Sequence, residues 1–183
     1  MRKLSERSLF TGNWLSIHEA IYQTKDGAIV AWEVVRRKNS PIGVVVIAKL
    51  VPSNRLILIK QFRPAVNGYI ISFVAGLAKG DAKQALAELR EETGYTGRIK
   101  EMSPVLKTGS SIIDDSGRVI YAEVDERDPK NKNPKQALEP GEVIEVCLVK
   151  RKDAKKFLLK EYKKGTYISA NVWYVFGVED KLK

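Results

Sequence analysis

The sequence predicts an α+β protein, a mixed sheet with helices packed on it, and three observations carry that prediction. Apolar-rich extended runs separated by turn residues fill the first third of the chain. The segment from Asp81 to Thr93 changes to helical spacing and stops at Gly94. A second helical pattern, the basic amphipathic "KDAKKFLLKEYKKG", comes only late. With 183 residues, 44% hydrophobic and 30% charged, the chain can bury a core, which excludes a disordered polymer.

Taken in order, "WLSIHEAIYQT" and "AIVAWEVVRR" read as strands, and Asp26-Gly27 between them is a hairpin signal. "GVVVIAKLV" and "RLILIKQFR" form a second pair around the turn-prone "PSN". "YIISFVAG" reads as one further short strand ending in small residues. After the central helix, strands are expected near "RIKEMSPVL", "RVIYAEVDE" and "EVIEVCLV". The last two are separated by the polar loop "RDPKNKNPKQALEPG". The C-terminal "SANVWYVFGV" fits a helix or a strand.

No run is long and apolar enough to cross a membrane, and "MRKLSERSLF" lacks the apolar stretch of a signal peptide. The single cysteine, Cys147, reads as a small buried hydrophobe with no internal disulfide partner, and the expected location is the cytoplasm. The formal net charge of +10 suits attraction of nucleic acid or of small polyanions such as nucleotides. Much of the excess lies in "KNKNPK" and "KRKDAKKFLLKEYKK", where a solvated face is the default reading.

The chemistry concentrates in "ALAELREETGYTG". Helical spacing puts Glu88 beside both Glu91 and Glu92, while Leu86 and Leu89 turn inward. Carboxylates converging on one point repel unless a cation sits between them, and Mg²⁺ commonly joins carboxylates to substrate phosphates. For "ELREE" alone, a wet acidic stripe balanced by Lys83 and Arg90 is the favoured reading. The context adds "AGLAKGD", a glycine-containing loop leading in from a strand.

In that context "GLAKGDAKQALAELREETGY" resembles the signature of the Nudix hydrolases, G-x5-E-x7-R-E-U-x-E-E-x-G-U. Gly76 matches the leading glycine, and Asp81 stands where the first glutamate is expected. Glu88, Leu89, Glu91, Glu92, Gly94 and Tyr95 fill the closing positions. The resemblance implies a Nudix fold, an α/β/α sandwich around a mixed β-sheet. It also implies Mg²⁺ (with Mn²⁺ as alternative) held by Glu88, Glu92 and Glu91, helped by the Ala75 carbonyl. Two departures stand out. The segment from Gly76 to Glu88 is three residues shorter than the pattern, and Ala87 replaces the arginine that orients a glutamate of the set. Arg90 points to a different side of the helix, which leaves Arg63 as a candidate brace.

The resemblance continues outside the motif. "IKQFRPAVNGYIISFVAG" is similar to the Q-[YF]-R…E-[LF]-P-A-G segment of the ADP-ribose and nucleoside-diphosphate-sugar pyrophosphatases, with Ser72 and Val74 replacing Glu and Pro. It implies an N-terminal strand domain, residues 1–40, for dimerisation and base binding, and a hydrolase domain over 41–183. In that branch a tryptophan from each subunit clamps adenine, and Trp14 and Trp32 stand in the matching places. Glu33 would meet the exocyclic amine, Arg37 and Arg63 the diphosphate, while Arg36 reads as an ordinary surface charge. Glu142 matches the general base, with Glu139 next in order, and Ser110 occupies a place where a proline marks preference for ADP-ribose. The expected activity is Mg²⁺-dependent hydrolysis of ADP-ribose or a related nucleotide sugar by a homodimer. Alternatives are a non-catalytic ADP-ribose-sensing module, for which Ala87 argues, and an RNA 5′-end pyrophosphohydrolase, which the charge suggests. The tryptophan pair favours one small nucleotide over a nucleic-acid strand.

Overall fold

The structure, a computed structural model, describes residues 1–39, 42–78 and 80–177. Among the described residues the strands form two sheets. The first is a meander of β1 (Arg2–Thr11), β2 (Leu15–Gln23) and β3 (Ile29–Arg37), all antiparallel. The predicted hairpin turn is present, with Gly27 at φ 90° and the Thr24 amide bonded to the Ala28 carbonyl at 2.9 Å. The boundary expected at residues 40 and 41 lies outside the described residues.

β1 was not legible in the sequence, because almost every side chain on it is exposed. Charge on the inner face of the meander holds it. Glu6 of β1 takes both terminal nitrogens of Arg36 from β3, and His18 of β2 stands 3.2 Å from the same carboxylate. Arg36 is therefore a half-buried bracket across three strands and not an ordinary surface charge.

The second sheet is built on β4 (Ile42–Val51) and β5 (Arg55–Arg63). Both runs are apolar at nearly every position because both faces are covered. On β5, Ile57 and Ile59 enter one core while Leu56 and Leu58 enter the other. "YIISFVAG" is two strands, not one: β6 (Gly68–Ser72) pairs with β5, and β7 (Val74–Ala78) pairs with β4. The break falls at Phe73, which packs into one core while Val74 packs into the other. One segment has to serve two diverging neighbours, so it cannot stay a single ladder.

α1 (Ala82–Thr93) starts and stops where its local chemistry dictates. The Asp81 carboxylate accepts from the Gln84 amide at 2.7 Å, and Gly94 closes the helix at φ 77°. "RIKEMSPVL" yields β8 (Arg98–Met102) and the two-residue β9 (Leu106–Lys107), separated by a non-strand stretch. β10 (Ser116–Asp125) runs parallel to β4 while the other main pairings are antiparallel, so the sheet is mixed. β11 (Ile144–Lys150) lies along β5. Then come α2 (Ala154–Lys163), β12 (Tyr167–Ile168), which no pattern announced, and α3 (Ala170–Phe176), which resolves the last ambiguous segment as helix.

α1 covers one face through Ala85 and Leu89. α2 and α3 cover the other through Ala154, Leu158, Val172 and Phe176. No described helix is long and apolar enough to cross a membrane. Cys147 is half-buried against the second core, where burial lifts its thiol to about 11.

Gly94 carries more than the helix stop, because a Cβ there would overlap the backbone of Pro134 and Lys135. Gly94→Ala should lower unfolding free energy by about 2–4 kcal/mol, from left-handed strain and overpacking together. Urea unfolding of both proteins measures the difference, and a loss below about 0.5 kcal/mol would mean the loop does not press on the helix end.

Candidate active site

The floor of the site is the contact between α1 and β7. Gly76 of β7 lies under Glu88, and a Cβ at 76 would overlap the Glu88 carboxyl group. Glycine is needed here for clearance. One helical turn further on, Glu92 is only 4% exposed, and its Oε2 is buried without a hydrogen-bond partner. Burial, reinforced by the nearby charges of Glu88 and Glu142, pushes the Glu92 carboxyl up to about 8. A backbone hydrogen bond from Ala75 and the positive charge of Arg63 pull in the opposite direction. Glu88 is also raised, first by burial and then by Glu91, Glu142 and Glu139. Glu91 itself is exposed at the rim.

Glu142 and Glu139 come from the polar loop after β10, which is docked and not simply solvated. The buried Asn131 donates to the carbonyls of Thr96 and Asp125, and accepts from the Thr96 amide at 2.8 Å. Farther along, the Ala137 amide donates to the Glu91 carbonyl at 2.9 Å, and Gln136 Nε2 to the Glu92 carbonyl at 2.6 Å. Gln136 Nε2 also reaches the Ile144 carbonyl at 3.1 Å. These bonds satisfy the last carbonyls of α1 and bring the loop over the carboxylates. A turn with Gly141 at φ 91° then folds Glu142 back, so that its Oε2 accepts the Glu139 amide at 3.0 Å. Asn131 and Gln136 escaped sequence reasoning, since bonds from side chain to backbone leave no periodicity.

Two further orphaned atoms show how polar this corner is. Gln61 Oε1 and Ser72 Oγ are buried and unpartnered like Glu92 Oε2. The β5–β6 and β5–β11 registers put Gln61, Ser72 and Ile144 on the face that α1 covers.

Among the described residues no three carboxylates, imidazoles or thiolates already enclose a single point. The donor chemistry nevertheless fits a hard cation: oxygens of Glu88 and Glu92, one of them buried and unsatisfied, along a cradle that a Cβ would fill.

The expected nucleotide-binding residues sit on the first sheet. Trp32 lines a pocket of about 400 Å³ with Tyr22, Val34, Arg36 and the segment Ser110–Asp114, so Ser110 shares a wall with it. Trp32 Nε1 points to the Ser111 carbonyl at 3.5 Å. Glu33 is exposed and, as the next residue on the strand, projects to the other face. Arg37 shares that face and donates Nε to both oxygens of Asp115 at 3.1 and 3.0 Å, a partner that sequence reasoning missed.

Trp14 is 82% exposed in the turn between β1 and β2, where its carbonyl accepts from the Lys38 amide at 2.9 Å. Lys38 lies six residues beyond Trp32, about 20 Å along an extended strand. One chain therefore does not bring Trp14 and Trp32 to opposite sides of one base.

The raised Glu92 value sets a pH dependence for the protein without metal. The folded chain retains this proton at pH values where the unfolded chain, near 4.5, has lost it. Stability contributed by protonated Glu92 is complete below about 4.5 and is lost as pH rises toward about 8. Each pH unit in that window is worth about 1.4 kcal/mol at most. In chelator, the melting temperature should fall as pH rises through the window, and Glu92→Gln should flatten that fall. An identical pH slope in the variant would place the titration elsewhere.

No protein-family model matches the chain. Three similarities to known proteins span most of it. It is 31% identical over 182 residues to an uncharacterised Nudix hydrolase of Schizosaccharomyces pombe, covering 93% of this chain and 88% of that protein. It is 32% identical over 172 residues to the ADP-ribose pyrophosphatase of Saccharomyces cerevisiae, covering 87% and 74%. With the ADP-sugar pyrophosphatase of Mus musculus the identity is 30% over 159 residues, covering 81% and 73%.

Proposed function

The chain belongs to the Nudix hydrolases, and from that membership we propose that it cleaves the pyrophosphate bond of ADP-ribose or a related nucleoside diphosphate sugar. The products would be a nucleoside monophosphate and a sugar phosphate. Two relatives named for ADP-ribose and ADP-sugar hydrolysis support the substrate class. The observation that carries the reading is Glu92, a carboxylate shut from water with one oxygen unpartnered and with Glu88 and Glu142 beside it. Such an arrangement is costly for a module that only holds a ligand, and useful where cations and phosphates must meet.

Nudix hydrolases generally use divalent metal ions, and Mg²⁺ is the ion proposed here. Glu88 and Glu92 would hold it, with Glu91 at the rim and the Ala75 carbonyl as a further oxygen. When bound, it would neutralise phosphate charge and favour ionisation of a water. Arg63, whose charge already acts on Glu92, would hold a phosphate oxygen of the substrate. Glu142 accepts the Glu139 amide through one oxygen, which leaves the other to take a proton from the attacking water. Trp32 would stack on the base in the pocket it shares with Ser110, and Arg37 would turn from Asp115 toward the diphosphate. Trp14 would supply the other wall from a second copy, which makes the active form a homodimer. Glu33 would reach the base amine from the strand edge.

Incubation with ADP-ribose and other nucleotide sugars in Mg²⁺, followed by chromatography, should show the monophosphate. Glu92→Gln should abolish turnover without lowering the melting temperature, and Gly76→Ala should cripple turnover by displacing Glu88. Near-normal rates in both variants at limiting Mg²⁺ would remove these residues from the metal site. Light scattering should show a dimer at micromolar concentration, and Trp14→Ala should raise KM more than it changes kcat. A monomer with unchanged KM would count against the shared site.

A further inference from the structure

The charge excess is local. Residues 150–164 hold eight basic and two acidic side chains, a net +6 of the chain's +10. On α2 the apolar face is spent on the core through Ala154 and Leu158. Lys156, Lys160 and Lys163 fall at i, i+4 and i+7 on the other side, all exposed and without an ion-pair partner among the described residues.

The two acids do little to offset this row. Glu161 is buried between Lys60 at 3.0 Å and Lys164 at 2.5 Å, so that group already carries a positive balance.

Aromatic rings gather where the lysine row ends. Lys60 reaches over the Tyr69 ring at 5.9 Å, and Tyr69 meets Phe62 edge to face with centroids 5.6 Å apart. Tyr167 lies against Gly68, where a Cβ would press on its ring. All three rings are exposed, and Tyr162, on α2 itself, is 65% exposed. Phe62 and Arg63 are consecutive on β5 and so project to opposite faces. Phe62 and Tyr69 are therefore on the far side of the sheet from the carboxylates, while Tyr167, which meets the side of Gly68 that is in register with Arg63, is on the near side.

We infer that the outer face of α2, with Tyr162, and the Phe62–Tyr69 pair together bind single-stranded RNA. A phosphate backbone is the polyanion that matches a row of unpaired lysines, and exposed π-faces interleaved with cations are what unpaired bases stack on. RNA is the strand whose bases remain unpaired and available. A membrane surface fits less well, because an interfacial helix needs a free apolar face and α2 has buried its own. The preference for one small nucleotide concerns Trp14 and Trp32 on the other sheet, and leaves this surface open to a polymer.

Fluorescence anisotropy of a labelled oligouridylate with the full-length protein, in chelator, tests the inference; uracil avoids the adenine subsite. Binding should weaken with salt, and changing Lys156, Lys160 and Lys163 to Gln should reduce the log–log salt slope by about two. Phe62→Ala and Tyr69→Ala should each weaken binding about tenfold, with nucleotide-sugar hydrolysis unchanged. If those ring variants melt early, Tyr162→Ala carries the test instead, with the same sign expected. Equal affinity for a duplex of the same length, or ring variants that bind like wild type, would overturn the inference. So would loss of the dimer in the ring variants by light scattering, which would assign the cluster to a second copy of the chain.

Discussion

A carboxylate enclosed beside other carboxylates is unstable unless its surroundings are fixed, and the active-site half of this molecule is organised around that constraint at Glu92. The charged form is penalised by burial and by Glu88 and Glu142. A loose arrangement would relieve the strain by turning these side chains out to water. Several local devices prevent that. Gly76 gives Glu88 room directly above β7, and Leu89 and Ala85 lock the buried face of α1 into the core. The loop carrying Glu142 is sewn to the last carbonyls of the helix by Ala137 and Gln136. Stability is given up at one point, as is usual where a folded protein keeps a buried ionisable group for use.

How much of this was legible depends on whether the cause is local. α1 was readable at both ends, because an Asp cap and a left-handed glycine are chemistry within four residues of the terminus. β5 was readable over its whole length, since a strand buried on both faces is an apolar run. That Glu88 sits beside Glu91 and Glu92 was readable from helical spacing, whereas their reading as a metal set needed the resemblance around them. β1 was not, because its anchor is the Glu6–Arg36 pair between residues thirty positions apart. The split at Phe73 was hidden for the same reason, since it reflects which neighbours β6 and β7 must pair with. The polar loop looked solvated because lysines and asparagines say nothing of the one Asn and one Gln whose amides turn inward.

The small sheet shows a different economy. It buries little, and its inner face is held by a charged bracket instead of a core. Its exposed tryptophans are expensive in water, and one chain does not bring them together. Trp32 is tied to the pocket through the Ser111 carbonyl, while Trp14 finds no such partner among the described residues of the chain, which is the observation behind the proposed shared site. The other wall of the pocket beside Trp32, Ser110–Asp114, belongs to the large sheet's side of the molecule and ties the small sheet to the hydrolase core.

The missing motif arginine can be placed in the same physical terms. Position 87 shares a helix face with Glu91, four residues on, and with Lys83, four residues back, and all three are exposed. Glu92 is five residues on and faces the core, out of line with position 87. A guanidinium at 87 would therefore brace the rim carboxylate and not the buried one. Positive charge reaches Glu92 from the opposite wall, through Arg63 at the end of β5. At the front of the helix, Asp81 is occupied in capping the Gln84 amide, which anchors the shortened loop without help from position 87. Ala87 thus costs support at Glu91, the least buried member of the set, while the two glutamates that define the pocket keep theirs from Gly76, Ala75 and Arg63.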